Sequence, residues 1–174
     1  GTGITDAKVP EKTGYKFLNW KTIEGNDAYE LDTPVKGDLT LVAVWDINTY
    51  TVTFYNEDGT SIYSTTSANH GQQFSSVVQP TLEKTGHVLT GWSTEKGSTT
   101  AYDSSKAIEG NMNLYPIWEK GQYKVSFICG EGAENVPQVQ AVEFEGKATV
   151  PEKNPTRIGY EFSHWAASEN SENA

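Results

Sequence analysis

The chain has 174 residues, with 13 Lys+Arg against 23 Asp+Glu, a formal net charge of −10 and a pI near 4.7, so its surface repels phosphate polyanions and acidic membranes over long range. Every basic residue except Arg157 is a lysine, so the forked guanidinium donors that read phosphates and guanine edges are nearly absent and nucleic acid is excluded as an expected partner. The 36% hydrophobic share with 16 glycines is that of an ordinary globular protein, and no apolar run approaches the ~20 residues needed to cross a bilayer, so no membrane insertion is expected.

In chain order, the first element is a strand through Lys12-Thr13-Gly14-Tyr15-Lys16-Phe17-Leu18-Asn19-Trp20. Tyr15 and Phe17 share a face. Trp20, three residues beyond Phe17, falls on the other face unless a residue bulges near Asn19. A strand follows through Leu39, Leu41, Ala43 and Trp45, both of whose faces are largely apolar. After a polar stretch at 46–49, Tyr50, Val52 and Phe54 alternate with threonines at the period of a strand with one buried face. Asn56-Glu57-Asp58-Gly59 reads as a tight turn, and a partner strand runs through 61–66.

Phe74, Val77 and Val78 stand at i, i+3, i+4, the spacing of one or two turns of amphipathic helix that Pro80 would close. A third strand carries Gly86 to Trp92, with Gly91 favouring a bulge. Asp103 is placed to cap a short helical turn through Ile108 that Gly110 ends. The strand ending at Trp118 contains Pro116, which cannot donate a ladder hydrogen bond and points to an edge-compatible position. The stretch 119–122 is polar, and the strand from Tyr123 to Phe127 opens a last segment that closes on Arg157-Ile158-Gly159-Tyr160-Glu161-Phe162-Ser163-His164-Trp165.

These elements repeat. The Gly14 block returns at Gly86 after 72 residues and at Gly159 after 73. Gly37 to Trp45 returns as Gly110 to Trp118, and Tyr50 to Phe54 as Tyr123 to Phe127, both at 73. Three blocks with one period mean tandem duplication. The expected organisation is the C-terminal part of a first repeat (1–45), a linker (46–49), a complete central repeat (50–118), a linker (119–122) and the N-terminal part of a third (123–174). A start at Gly1 without Met or a secretion signal fits an excised internal piece. Each copy should be a small mainly-β α+β unit of about four strands and one short helix. Its tryptophans, Trp92 and Trp118 in the central copy, are expected at the centre of the core, where truncation costs roughly 3–5 kcal/mol. Half copies expose strand edges, so head-to-tail self-association through the end repeats is expected.

The ordered set Lys-x-Gly-Tyr-x-Phe-x-Gly-Trp, preceded by Tyr-x-Val-x-Phe and followed by Gly-Asn/Asp-x-x-Leu and a terminal aromatic, resembles the Listeria–Bacteroides repeat, also called the internalin B-repeat, over about 5–166. The chain departs from the pattern at His87, which replaces the tyrosine, and at Asn19 and His164, which replace the glycine before tryptophan. The resemblance implies β-grasp-like (ubiquitin- or SUMO-like) repeats in a secreted or wall-anchored bacterial protein, serving as stalk or adhesion modules.

No catalytic, cofactor-binding or metal-binding residues are assigned. His70, His87 and His164 lack a second histidine at ligand spacing. Asn56-Glu57-Asp58-Gly59-Thr60 lacks the alternating acids and closing Glu of a calcium loop, and Gly130-Glu131-Gly132 lacks the Gly-Lys-Ser/Thr of a phosphate cradle. With its single cysteine, Cys129, the chain can form neither an internal disulfide nor a cysteine-based zinc site. Most aromatics recur at one repeat position, as core duty requires. Tyr29, Tyr63 and Tyr102 are the expected exposed ones. The expected function is a non-catalytic spacer or adhesion module; the alternative is a recognition domain that binds a host protein or glycan through exposed aromatics or a sheet edge.

Overall fold

A computed structural model describes Ile4 and residues 7–167. The chain divides into two compact units, residues 1–82 with 89–118, and residues 83–88 with 119–174. It is mainly β, with small sheets and almost no helix.

In the first unit, β1 (Tyr15–Thr22) and β2 (Leu41–Ile47) form an antiparallel pair. The register shifts between Phe17 and Asn19, so Leu18 is the extra residue and half of it faces solvent. The shift does what the sequence spacing required: Phe17 and Trp20 meet edge-to-face at 5.4 Å, and Phe17 also meets Trp45 at 5.7 Å. The four-stranded sheet contains β3 (Thr49–Tyr55), β4 (Ile62–Asn69), β5 (His87–Ser93) and β6 (Met112–Lys120) in the order β4-β3-β6-β5. β3 and β4 are an antiparallel hairpin. β3 and β6 are parallel, with Val52, Thr53 and Phe54 opposite Met112, Asn113 and Leu114.

The core lies on this sheet and gathers Val52, Phe54, Ala68, Phe74, Val77, Trp92, Ile108 and Leu114. Phe54 and Trp92 pack edge-to-face with centroids 4.7 Å apart, a geometry that adds quadrupole attraction to apolar burial. The second unit repeats the opening hairpin as β7 (Gln122–Val125) and β8 (Gln140–Glu143), paired antiparallel. Phe127 and Trp165, the repeat counterparts of Phe54 and Trp92, meet at 5.0 Å, and Phe162 and Trp165 meet at 5.1 Å. Equivalent indoles thus sit against equivalent rings.

Several sequence expectations are corrected. The helix around Phe74 to Val78 is one 3-10 turn, Phe74–Ser76, and Val78 is 85% exposed while Val77 is buried. The cause is tertiary: Gly71 and Phe74 donate to the carbonyls of Ile108 and Lys106, Ser75 donates to that of Ser104, and Ile108 donates back to Gln72. Residues 71–75 therefore spend their hydrogen bonds on a neighbouring segment, and the β-branched pair ahead of Pro80 cannot extend the turn. The expected helical turn at 103–108 is an Asp-closed turn, with Ser105 N and Oγ both donating to Asp103 Oδ1 at 2.9 and 2.7 Å. The partner strand expected at 61–66 runs on to Asn69.

Pro116 is on an interior strand and not an edge. On the β3 side the pairing of β6 ends at Leu114, two residues before the proline, so no ladder bond to β3 is missed there. Trp118 is only half-buried and stands outside the core cluster that contains Trp92. Only Asn48 lies between β2 and β3, and only Gly121 lies between β6 and β7.

Candidate functional site

The recurring glycine block is built on one turn. Tyr15, His87 and Tyr160 donate their amides to the carbonyls of Lys12, Lys84 and Arg157 at 3.0, 3.0 and 3.1 Å. The third turn residue is Gly14, Gly86 or Gly159 with φ of 77°, 70° or 79°, and the residue before it has no positive φ. This is a type II turn, which requires left-handed backbone at its third position and so selects glycine. In two copies the basic residue lies over the aromatic ring: Lys12 Nζ is 3.8 Å from the Tyr15 centroid and the Arg157 guanidinium 4.3 Å from that of Tyr160.

Two of these turns hold a second segment. Asn48 donates to Gly14 O at 2.9 Å and accepts from the His70 amide at 2.8 Å. In the second unit Gly121 donates to Gly86 O at 2.7 Å and accepts from the Phe144 amide at 2.8 Å. The ring at the end of the hairpin then covers the glycine. A Cβ on Gly14 would fall inside the His70 imidazole, and one on Gly86 inside the Phe144 ring. Tyr50 stands 6.1 Å from the His70 ring and Tyr123 6.2 Å from Phe144, and His87 flanks Phe144 at 5.8 Å.

This seat escaped the sequence reading. Its glycines are visible at the repeat period, but its ring is not, because His70 and Phe144 differ in type and are 74 residues apart, where Gly14 and Gly86 are 72 apart and Asn48 and Gly121 are 73. A second missed landmark is Tyr29, which matches Tyr102 at a separation of 73 residues. Their amides donate to the carbonyls of Trp20 and Trp92, each at 2.7 Å. The expectation that both are exposed fails: each is half-buried, and Tyr102 meets core Phe74 edge-to-face at 5.3 Å. Tyr63 is about half exposed, with its hydroxyl donating to Thr81 O.

The central repeat also carries an aromatic cleft of about 270 Å³ lined by Tyr115, Trp118, the β3–β4 turn and residues 96–99. Tyr115 is stacked on Tyr55 at 5.0 Å with planes 16° apart. Lys96 Nζ donates to Asp58 O at 2.7 Å and its stem lies over Gly59. Asp58 closes the turn: Oδ1 accepts the Thr60 and Ser61 amides at 2.8 Å each, and Oδ2 accepts the Ser61 hydroxyl at 2.6 Å. Those bonds, led by the Ser61 hydroxyl, hold its carboxyl down at about 2. The acidic loop that superficially suggested calcium thus turns its carboxylate onto its own backbone. Asp103 is lowered likewise, chiefly by the Ser105 hydroxyl and then its amide.

Among the described residues, no group of three or more His, Cys, Asp and Glu is arranged to hold a metal ion. His70 is taken up by the Gly14 seat, His87 Nδ1 lies 2.9 Å from Thr85 O, and His164 Nδ1 is 2.9 Å from Ser163 Oγ. Cys129 is half-buried. Among the described residues, no helix is long and apolar enough to cross a membrane, which leaves β-barrels unaddressed.

The family model of the Listeria-Bacteroides repeat domain matches residues 1–44, 50–116 and 123–174. The chain belongs to this family. It is 33% identical over 171 residues, 95% of its length, to a protein of Evansella cellulosilytica whose name describes a Gly-rich membrane protein, of which it covers 19%. A second protein of that organism, named as a membrane protein, is 32% identical over 93% of the chain and 24% of its own length. Internalin H of Listeria monocytogenes is 33% identical over 122 residues, 67% of the chain and 21% of the internalin. The chain thus spans about a fifth to a quarter of the length of these curated relatives. No solved structure matches it.

Proposed function

We propose that the chain is a non-catalytic stretch of tandem β-grasp-like repeats in a secreted or wall-associated bacterial surface protein, acting as a spacer and in adhesion. The observation that carries this reading is the reuse of one packing solution: a Phe–Trp edge contact in the central and third repeats and a glycine turn in all three. Modules that repeat their core without adding a unique polar cluster suit an array whose stability is a sum of units and neighbour contacts. The β-grasp-like reading is supported by the mixed four-stranded sheet with its parallel central pair. The surface location is supported by the names of the relatives, two membrane proteins and an internalin.

The stacked Tyr55–Tyr115 pair beside Trp118 favours a second reading, recognition of a host protein or glycan, since aromatic faces stack on sugar rings; the outer strands β4 and β5 offer sheet edges for strand addition. The two are separated by placing the chain between a wall anchor and an epitope tag and screening the same chain on a glycan array. The spacer reading expects antibody access to the tag to match that given by an unrelated rigid spacer of equal length, with no saturable glycan binding. Saturable binding abolished by Tyr115→Ala would replace it with the recognition reading.

A further inference from the structure

We infer that the Gly159 turn is a docking seat for the opening hairpin of a further repeat, recognised by a planar ring laid over the glycine and by one linker residue bonded to both sides. The inference rests on the tandem-array reading and adds to it the device by which one repeat engages the next. The seat occurs twice with the same parts. At Gly14 and at Gly86 the turn glycine has positive φ, its carbonyl accepts the linker amide, the linker carbonyl accepts the ring residue's amide, and the ring covers the space a side chain would need. The linker is Asn48 in one and Gly121 in the other, and the ring is His70 or Phe144. What is shared is therefore backbone and planarity, not one side chain.

The third turn is built to the same pattern. Gly159 has φ of 79°, Tyr160 donates to Arg157 O at 3.1 Å, and Arg157 lies over Tyr160. Yet no described atom lies within 4 Å of where a Cβ on Gly159 would stand, Ile158 is 99% exposed and Tyr160 69% exposed. Turn geometry alone explains a glycine at all three positions. It does not explain the rings on the first two, and those identify the occupant. A second copy of this chain is a poor occupant, because His70 and Phe144 are already seated on Gly14 and Gly86. The fitting partner is a hairpin joined in tandem, whose linker residue follows the strand that ends the same repeat.

The test extends the chain after Trp165 with a second copy of residues 93–149, which places a second Phe144 in the register relative to Gly159 that Phe144 has relative to Gly86. Amide hydrogen exchange is followed by NMR. The added counterparts of Gly121 and Phe144 should exchange at least tenfold more slowly than in peptides, matching the originals. Gly159→Ala in the extended chain should return both to rapid exchange while leaving the original Gly121 and Phe144 unchanged. In the unextended chain the same substitution should alter no amide beyond the 157–160 turn. Rapid exchange of the added amides in an extended chain whose Val52 and Phe54 remain protected would overturn the seat. So would slow exchange that persists in Gly159→Ala. Neither outcome bears on whether the array is a spacer.

Discussion

Trp92→Ala and Trp118→Ala should separate the two tryptophans that the repeat pattern treats alike. Trp92 is 3% exposed, lies in the core cluster and meets Phe54 edge-to-face at 4.7 Å. Trp118 is half-buried beside the aromatic cleft. Truncating a buried Trp to Ala costs about 3–5 kcal/mol from lost transfer energy and the cavity left behind. The ring pair with Phe54 places Trp92 in the upper part of that range. Trp118, already wet on one side, should cost about 1–2 kcal/mol by its smaller buried area. A unit of this size has a total stability of roughly 4–10 kcal/mol, so the first change removes much of it. The measurement is exchange of the Val52 and Phe54 amides, which report the central sheet by itself, together with urea unfolding followed by far-ultraviolet circular dichroism. With m-values of about 1–3 kcal/mol per molar urea, a 4 kcal/mol loss moves the midpoint by more than about 1 M. A shift for Trp118→Ala equal to or larger than that for Trp92→Ala would refute the placement of the core.

Three further outcomes are expected. Asp58 is held at about 2 against an ordinary 3.8, so its contribution to the β3–β4 turn is fully present above about pH 4 and is lost as pH falls through about 2; carbon-13 NMR titration of its carboxyl should give that midpoint, and Ser61→Ala should raise it. Val77→Lys should destabilise the central repeat by several kcal/mol because a charge enters a buried site, whereas Val78→Lys, on a side chain 85% exposed, should change the urea midpoint negligibly. Limited proteolysis should spare 46–49, which is strand on both sides of Asn48, and cut first in exposed irregular segments such as 34–39; early cleavage at Asn48 would contradict its bonds to Gly14 and His70.

The strands were legible where alternation and aromatic landmarks coincide, as at Tyr50 to Phe54 and at Phe17 to Trp20, where even the need for a bulge could be read from spacing. The helix was misread because Phe74, Val77 and Val78 have helical spacing by accident of a single tight turn. What overrode it, the backbone pairing of 71–75 with 104–108, is a long-range contact that no local pattern reports. Pro116 was misplaced for a related reason: a proline forbids one hydrogen bond at one residue, not a whole strand position, and the ladder to β3 ends two residues earlier. Of the candidate sites, only the glycines of the seat could be read, since positive φ selects the residue type, while the ring that fills the seat varies in chemistry and is offset by one residue.

That variation fits how the seat holds its occupant. Both hydrogen bonds of each seat join backbone groups, so the ring residue can change from His70 to Phe144 without altering them. Over the glycine the side chain contributes a flat ring face, which either ring supplies, and His70 adds a 3.5 Å contact from Nδ1 to the Tyr50 hydroxyl. The glycine has no such freedom, being fixed once by its positive φ and again by the ring above it. Substitution should therefore fall hardest on Gly14 and Gly86, where both constraints act, and more lightly on Gly159, where only the turn does. Ala at Gly159 should cost about 1 kcal/mol for left-handed strain, while Ala at Gly14 or Gly86 must also displace a ring. Thermal unfolding that ranked the three replacements as equal would mean that the rings lie over the glycines without contributing to stability.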